Sequence, residues 1–335
     1  MRTAILVLDD VLDSSLALTL DVLHATNRLL ALGKRSLRFE IDLVGPVPEV
    51  TTGCGLPLRV PRAMSRVRGY QLVFVPGMNV PMPDELTARL ARPDIPEVTR
   101  WLAREHARGA VVAGSCVGTF LLAEAGLLRR APATTSWWLA GEFRERYPGV
   151  ELRSDQMVTK AGRVICGGAA LAQMDVALTV VTALAGPHIA RLVARYLVIE
   201  RRPTQARYAL VTHLAAHHED VEQAEGWIRA HLEQPFRIED VARATGTSPR
   251  TLARRIASAT GSSPIRFVQR IRAEQATHLL ETTTLSIDEI AARVGYSDAS
   301  TLRRVLRRET GTSAREVRAQ RVRGEMRKRR GAGKG

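Results

Sequence analysis

Apolar residues recur along this chain in two rhythms, and the change between them falls near residue 200. In the first part, short apolar runs alternate with longer segments of helical period. Residues 3–8 form a short apolar run, and residues 37–44 alternate apolar with polar, as a strand with one covered face does. Residues 71–75 make another run, ended by Pro76 and Gly77. Residues 110–113 read as a buried strand running into Gly114-Ser115-Cys116-Val117-Gly118. Helices are predicted over 15–32, 95–108, 119–125, 171–185 and 187–199, and a hairpin from 150–158 and 163–166. Strands alternating with helices of ten or more residues imply a parallel sheet covered on both faces.

After a connector at 200–207 the pattern is helical throughout, beginning with a segment at 208–234, and it repeats. Ile238, Val241, Ala242 and Gly246 recur 49 residues later as Ile287, Ile290, Ala291 and Gly295. Beyond the glycine the offset is 50, matching Leu252 to Leu302, Ile256 to Leu306 and Gly261 to Gly311. One extra residue in a turn accounts for the slip. Each copy is a short amphipathic helix, a glycine placed for a left-handed turn, and an arginine-rich second helix, which is the helix-turn-helix pattern. Ser248 and Pro249 are suited to cap and start the second helix of the first copy, and Ser297 or Asp298 that of the other.

The first turns of the second helices are expected to face base edges. That selects Arg250, Thr251 and Arg254 in one copy, and Ala299, Ser300, Arg303 and Arg304 in the other. Arg255, Arg307 and Arg308 are expected on phosphates, which orient a protein without specifying sequence. Residues 264–281 form a helix between the copies, roughly 27 Å long at 1.5 Å per residue. It is of the length needed to hold two reading helices about one DNA turn apart.

Charge changes the picture by its location. The net charge is +15, and residues 222–335 carry 23 Lys+Arg against 13 Asp+Glu. A basic carboxyl-terminal third attracts polyanions, and nearly all its bases are arginines, able to fork onto phosphate or guanine. Residues 321–335 read as a basic disordered tail. No run of eighteen apolar residues and no signal segment is present, so no membrane span and a cytoplasmic location are expected. The three cysteines, Cys54, Cys116 and Cys166, lack paired or metal-binding spacing; Cys54 and Cys166 read as small buried hydrophobes. No metal and no cofactor is expected. His213, His217 and His218 read as a solvated helix end, and Trp137 and Trp138 as cover for the sheet.

Cys116 lies between a buried strand and a helix, in a glycine-bearing elbow that would lift a side chain above the sheet. At a helix amino terminus its thiol would have a lowered pKa.

Residues 222–320 resemble the DNA-binding domain of the AraC/XylS regulators. The likeness is carried by the double repeat, by Arg272-Ala-Glu-Gln-Ala-Thr-His-Leu-Leu, by Ile287-Asp-Glu-Ile-Ala-Ala-Arg-Val-Gly-Tyr and by Arg308-Glu-Thr-Gly-Thr-Ser-Ala-Arg. Leu302 and Leu306 stand where aromatic residues are usual, and Ala314 where proline is. Residues 1–190 resemble the PfpI-like branch of the class I glutamine amidotransferase-like superfamily. That likeness rests on Tyr70-Gln-Leu-Val-Phe-Val-Pro-Gly-Met, on Ala113-Gly-Ser-Cys-Val-Gly-Thr-Phe-Leu-Leu and on Ala133-Thr-Thr-Ser-Trp137. Together the two halves resemble the GlxA-type subgroup.

The resemblance implies a flavodoxin-like parallel sheet sandwich at 1–190, a linker at 191–221 and an all-α domain with two helix-turn-helix units at 222–320. It also implies that cysteine chemistry would need a histidine after the cysteine or in the Thr-Thr-His-Trp segment. Val117 and Ser136 stand there, and no histidine lies between His106 and His188. The expectation is a non-enzymatic transcription regulator that binds double-stranded DNA as a homodimer. A small effector would sit near Cys116, Gly77, Met78 and Asp13. The alternatives are an amino-terminal domain that only dimerises, with Cys116 a packed thiol, and a PfpI-type cysteine hydrolase or amidase carrying a DNA-binding domain.

Overall fold

The computed structural model describes residues 1–80, 83–200, 202, 204–205 and 219–319. The first apolar run becomes β1 (Arg2–Leu6), buried from its second residue onward because it lies inside a sheet. There follow α1 (Asp13–Leu32), β2 (Glu40–Gly45), the antiparallel pair β3 (Glu49–Thr51) and β4 (Pro57–Arg59), then β5 (Arg62–Ala63) and β6 (Leu72–Val75). Helices α2 (Pro83–Leu90) and α3 (Ile95–Ala107) lead to β7 (Val111–Ser115) and α4 (Gly118–Glu124). After β8 (Pro132–Ala133), α5 (Ala140–Arg146) and β9 (Glu151–Leu152) come the hairpin of β10 (Val158–Ala161) and β11 (Val164–Gly167), and then α6 (Ala172–Ala185) and α7 (Pro187–Tyr196).

Seven strands form one sheet in the order β10-β11-β7-β6-β1-β2-β5. All neighbours run parallel except β10 and β11, with Thr3 beside Leu72, Leu72 beside Val111 and Val112 beside Val164. Parallel strands need crossovers, and these lay helices on both faces. Two cores result: Trp101, Phe120 and Phe143 are buried on one face, and Val22, Phe74 and Leu178 on the other. Each such side chain contributes roughly 1.5–3 kcal/mol on leaving water. The alternation implied a parallel sheet covered on both faces, and the architecture is the flavodoxin-like sandwich that the resemblance implied.

Two details differ from the sequence reading. The hairpin's first arm begins at Val158, not at residue 150, because Glu151 and Leu152 pair with Pro132 and Ala133 instead. Two-residue strands carry no period for a sequence to show. The chain divides into Met1–Gln205 and Ala206–Gly335, so the first unit runs fifteen residues past residue 190. Its extension is anchored: Val193 of α7 is a core residue, and Arg202 forks onto Asp175 at 2.6 Å.

In the second unit the described helices are α8 (Glu219–Ala230), α9 (Ile238–Ala244), α10 (Pro249–Thr260), α11 (Pro264–Thr282), α12 (Ile287–Arg293) and α13 (Ala299–Thr310), with residues 314–319 also helical. The repeat has one core per copy. Val241, Leu252 and Ile256 fill the first, and Ile290, Leu302 and Leu306 the second. Helix α11 serves both, giving Phe267 and Ile271 to the first and Ala273, Ala276 and Leu280 to the second. His213, His217, His218 and the tail at 321–335 lie outside the described residues. Among the described residues no helix is long and apolar enough to cross a membrane, and no cluster of three or more His, Cys, Asp or Glu side chains could hold a metal ion.

Candidate DNA interface and cysteine elbow

The turn chemistry of the repeats is as the sequence implied. Gly246 and Gly295 have φ of +64° and +79°. The Ser248 hydroxyl accepts from Thr251 N at 3.1 Å and so caps α10, with Pro249 at its first position. Asp298, rather than Ser297, caps α13, accepting from Thr301 N at 2.8 Å. Hydrogen bonds from Ser300 and Thr301 hold its carboxyl down at about 2.

Once capped, each second helix buries one stripe and exposes the other. Arg250 and Arg254 of α10, and Ser300, Arg303, Arg304 and Arg307 of α13, are exposed. Among the described residues no ion pair or hydrogen bond holds the guanidinium groups of Arg250, Arg254, Arg303 and Arg304. Arg307, in contrast, lies close enough to Glu316 to add to the Ser313 hydrogen bonds that lower its carboxyl. Thr251 is half-buried and takes the Ser248 hydroxyl at 2.9 Å. Ala299 is 5% exposed and packs inward, so it is corrected from a base-facing residue to a core one. The reason is its place at the start of α13, on the same face as Leu302 and Leu306.

Two of the expected phosphate contacts are otherwise engaged. Arg255 is paired with Asp220 of α8. Arg308 donates to Glu309 at 2.6 Å and to Gln269 of α11. Glu309 is 3% exposed and also faces Arg266 at 3.3 Å and Arg270 at 3.9 Å, both on α11. A buried carboxylate among three guanidiniums fastens α13 to α11, a role its sequence position gave no sign of. The arrangement as a whole presents two equivalent arginine-bearing helices on one connecting helix.

In the first unit, β7 ends in a sharp turn at Cys116, a non-glycine residue at φ +55°. Gly118 must be glycine, because a Cβ there would lie 2.4 Å from the Val75 carbonyl oxygen. Cys116 N donates to Gly168 O at 2.7 Å, and Thr135 Oγ1 donates to Cys116 O at 2.8 Å. Ser136 donates its hydroxyl to Cys116 Sγ at 2.8 Å. The elbow is sealed, with Cys116 only 1% exposed. Burial pushes its thiol up, against the lowering that a helix amino terminus alone would give; the Ser136 and Val117 hydrogen bonds oppose burial and lose.

The four expected pocket residues divide. Gly77 adjoins the elbow, its Cβ position 3.0 Å from Cys116 Cβ, while Met78, buried in the same core, bridges to Val11. Asp13 turns to the β3–β4 loop instead, accepting from Cys54 N at 3.0 Å. Cys54 is corrected from buried to exposed, since it sits at a loop tip with no core above it, and the adjacent Asp13 carboxylate raises its thiol. Cys166 is buried, and burial pushes it up to about 12.

Beside the elbow lies a residue the sequence gave no reason to single out. Gln205, 1% exposed, donates to Thr135 O at 2.8 Å and Ser154 O at 2.9 Å, and accepts from Ala169 N at 3.0 Å.

Residues 241–320 match a family described as a helix-turn-helix domain. The transcriptional regulator CdhR of Pseudomonas aeruginosa is 27% identical over 227 residues, which is 67% of this chain and 67% of that protein. The transcriptional regulator GlxA of Rhizobium meliloti is 27% identical over 199 residues, 58% of this chain and 61% of that one. The matches thus span about two thirds of these relatives' length. A solved structure from Vibrio parahaemolyticus, 19% identical, superposes with a TM-score of 0.51 over 59% of this chain and 98% of its own, and supports the fold alone.

Proposed function

We infer that this chain, whose carboxyl-terminal domain is of the AraC/XylS helix-turn-helix type behind a PfpI-like unit of the GlxA kind, is a sequence-specific DNA-binding transcription regulator. The observation that carries the reading is the pair of helices α10 and α13, joined by α11, which expose Arg250, Arg254, Arg303 and Arg304 with no ion-pair partner among the described residues. Major grooves on one face of a duplex recur every turn, roughly 34–36 Å. Helix α11, about 28 Å long by its rise per residue, is commensurate with that repeat. Arg250, Arg254, Arg303 and Arg304 are assigned to base edges, with Thr251 and Ser300 beside them; Arg307 is assigned to phosphate. Arg255 and Arg308 serve chiefly to hold the two arginine helices in place.

The test is retention of genomic duplex fragments by the purified chain. Enrichment of a shared motif supports the reading, and salt-sensitive retention without any motif contradicts it.

The reading extends to a homodimer, since paired half-sites are commonly read by symmetric dimers. A monomer-sized species in sedimentation at micromolar concentration contradicts that part. It also places a small effector at the carboxyl ends of the strands beside Cys116, Gly77 and Met78, the edge at which open α/β sheets receive ligands. Absence of thermal stabilisation of the first unit across a metabolite panel contradicts it. A chromosomal ligand implies residence in the cytoplasm, which cell fractionation checks.

No catalytic role is assigned to Cys116. Ser136 stands against the thiol where a proton acceptor would be needed, and a hydroxyl does not act as a base at neutral pH. Amide or aldehyde turnover abolished by Cys116→Ala would contradict this.

A further inference from the structure

The two repeats are alike in sequence but not in surroundings. A Cβ on Gly246 would meet nothing within 4 Å. One on Gly295 would lie 2.3 Å from the carbonyl oxygen of Leu232 and 2.8 Å from an Nη of Arg272. Leu232 belongs to the core of the first repeat, and Gly295 to the turn of the second. This is a place where the two repeats touch.

Arg272 of α11 occupies that junction. Its Nη1 donates to Gly295 O at 3.0 Å. Its guanidinium carbon lies 5.4 Å from the ring centre of Phe236 in the first repeat and 5.1 Å from that of Tyr296 in the second. A planar cation against two rings and a carbonyl is a directional contact that a tilt of either repeat breaks. Each repeat has an apolar core of its own along α11, so what Arg272 adds is the angle between them.

We propose that Arg272 is a positioning residue that fixes the separation and phase of α10 and α13, and thereby the half-site spacing the protein accepts. This rests on the reading that both repeats enter grooves of one duplex. Each added base pair moves the second half-site by about 3.4 Å and turns it by roughly 34°. Rigidly held helices tolerate neither error, and hinged ones do.

The test uses the full chain and duplexes bearing the two half-sites it selects, with the spacer varied from two base pairs shorter to two longer. The wild type is expected to show one sharp optimum. Arg272→Ala and Arg272→Lys are expected to lose on the order of tenfold at the optimum and less elsewhere, giving a flattened profile. Binding to a single half-site should be unchanged. Phe236→Leu removes one ring without touching the charge and should flatten the profile more mildly; it serves if Arg272→Ala does not fold by circular dichroism. A sharp profile in folded Arg272→Ala or Phe236→Leu protein, merely displaced by the same factor at every spacing, overturns the proposal. A flat profile in the wild type overturns the two-headed reading itself.

Discussion

Ser136 Oγ lies 2.8 Å from Cys116 Sγ and donates its proton to it. The contact puts a hydroxyl, not a base, at one of the two places where the resemblance would put a histidine, and Val117 fills the other. With Cys116 sealed and its thiol raised by burial, the elbow keeps its backbone form without an activated nucleophile.

The three thiols should therefore react very unequally. A colorimetric disulfide reagent is expected to titrate one thiol, Cys54, in the native chain, and Cys116 and Cys166 only on unfolding. The Asp13 carboxylate accepts the Cys54 proton and holds that thiol above its usual range. Its rate should accordingly stay low near neutrality and climb as pH rises. Asp13→Asn removes the charge and should move the whole profile to lower pH. Fast labelling of Cys116 at neutral pH in folded protein would contradict the sealed elbow.

Equivalent glycines should respond differently to the same change. Gly246→Ala meets open space and pays only for its left-handed backbone, about 1–2 kcal/mol. Gly295→Ala adds a collision with the Leu232 carbonyl, for a loss of roughly 3 kcal/mol or more. Urea unfolding of the two variants measures both, and equal losses would contradict the close approach of the two repeats.

Gln205→Ala strips partners from Ala169 N and from the Thr135 and Ser154 carbonyls at once. A loss of about 2–4 kcal/mol is expected in denaturant unfolding of the amino-terminal unit. Gln205→Glu should cost more, because a carboxylate would face those carbonyl oxygens with no proton to give. A Glu variant as stable as the wild type would show that the carboxamide is not held as described.

The repeat domain was legible because its signals are local. A left-handed glycine, a serine–proline start and apolar residues at helical spacing all act within one turn, and the structure has each of them at Gly246, Ser248 and Leu252. What stayed hidden depends on partners distant in sequence. Arg255 and Arg308 read as phosphate contacts until Asp220 and Gln269, 35 and 39 residues away, are seen to hold them. Gln205 sits in a polar stretch that reads as a connector, and only the fold carries it to Thr135, 70 residues back. For Cys116 the helix end was visible and the burial that outweighs it was not. Ser136 was named through resemblance, and the structure puts it against the thiol.

The most direct test of the two-headed reading is selection of bound sequences from random duplex DNA by the wild type, Arg250→Ala and Arg303→Ala. Each protomer of the wild type should select a site of two halves about one turn apart. Each variant should lose preference in one half only, and a different half, at roughly 1–3 kcal/mol per position read. Equal loss on selected and random DNA in both variants would contradict base reading by these arginines and leave only a basic helical surface.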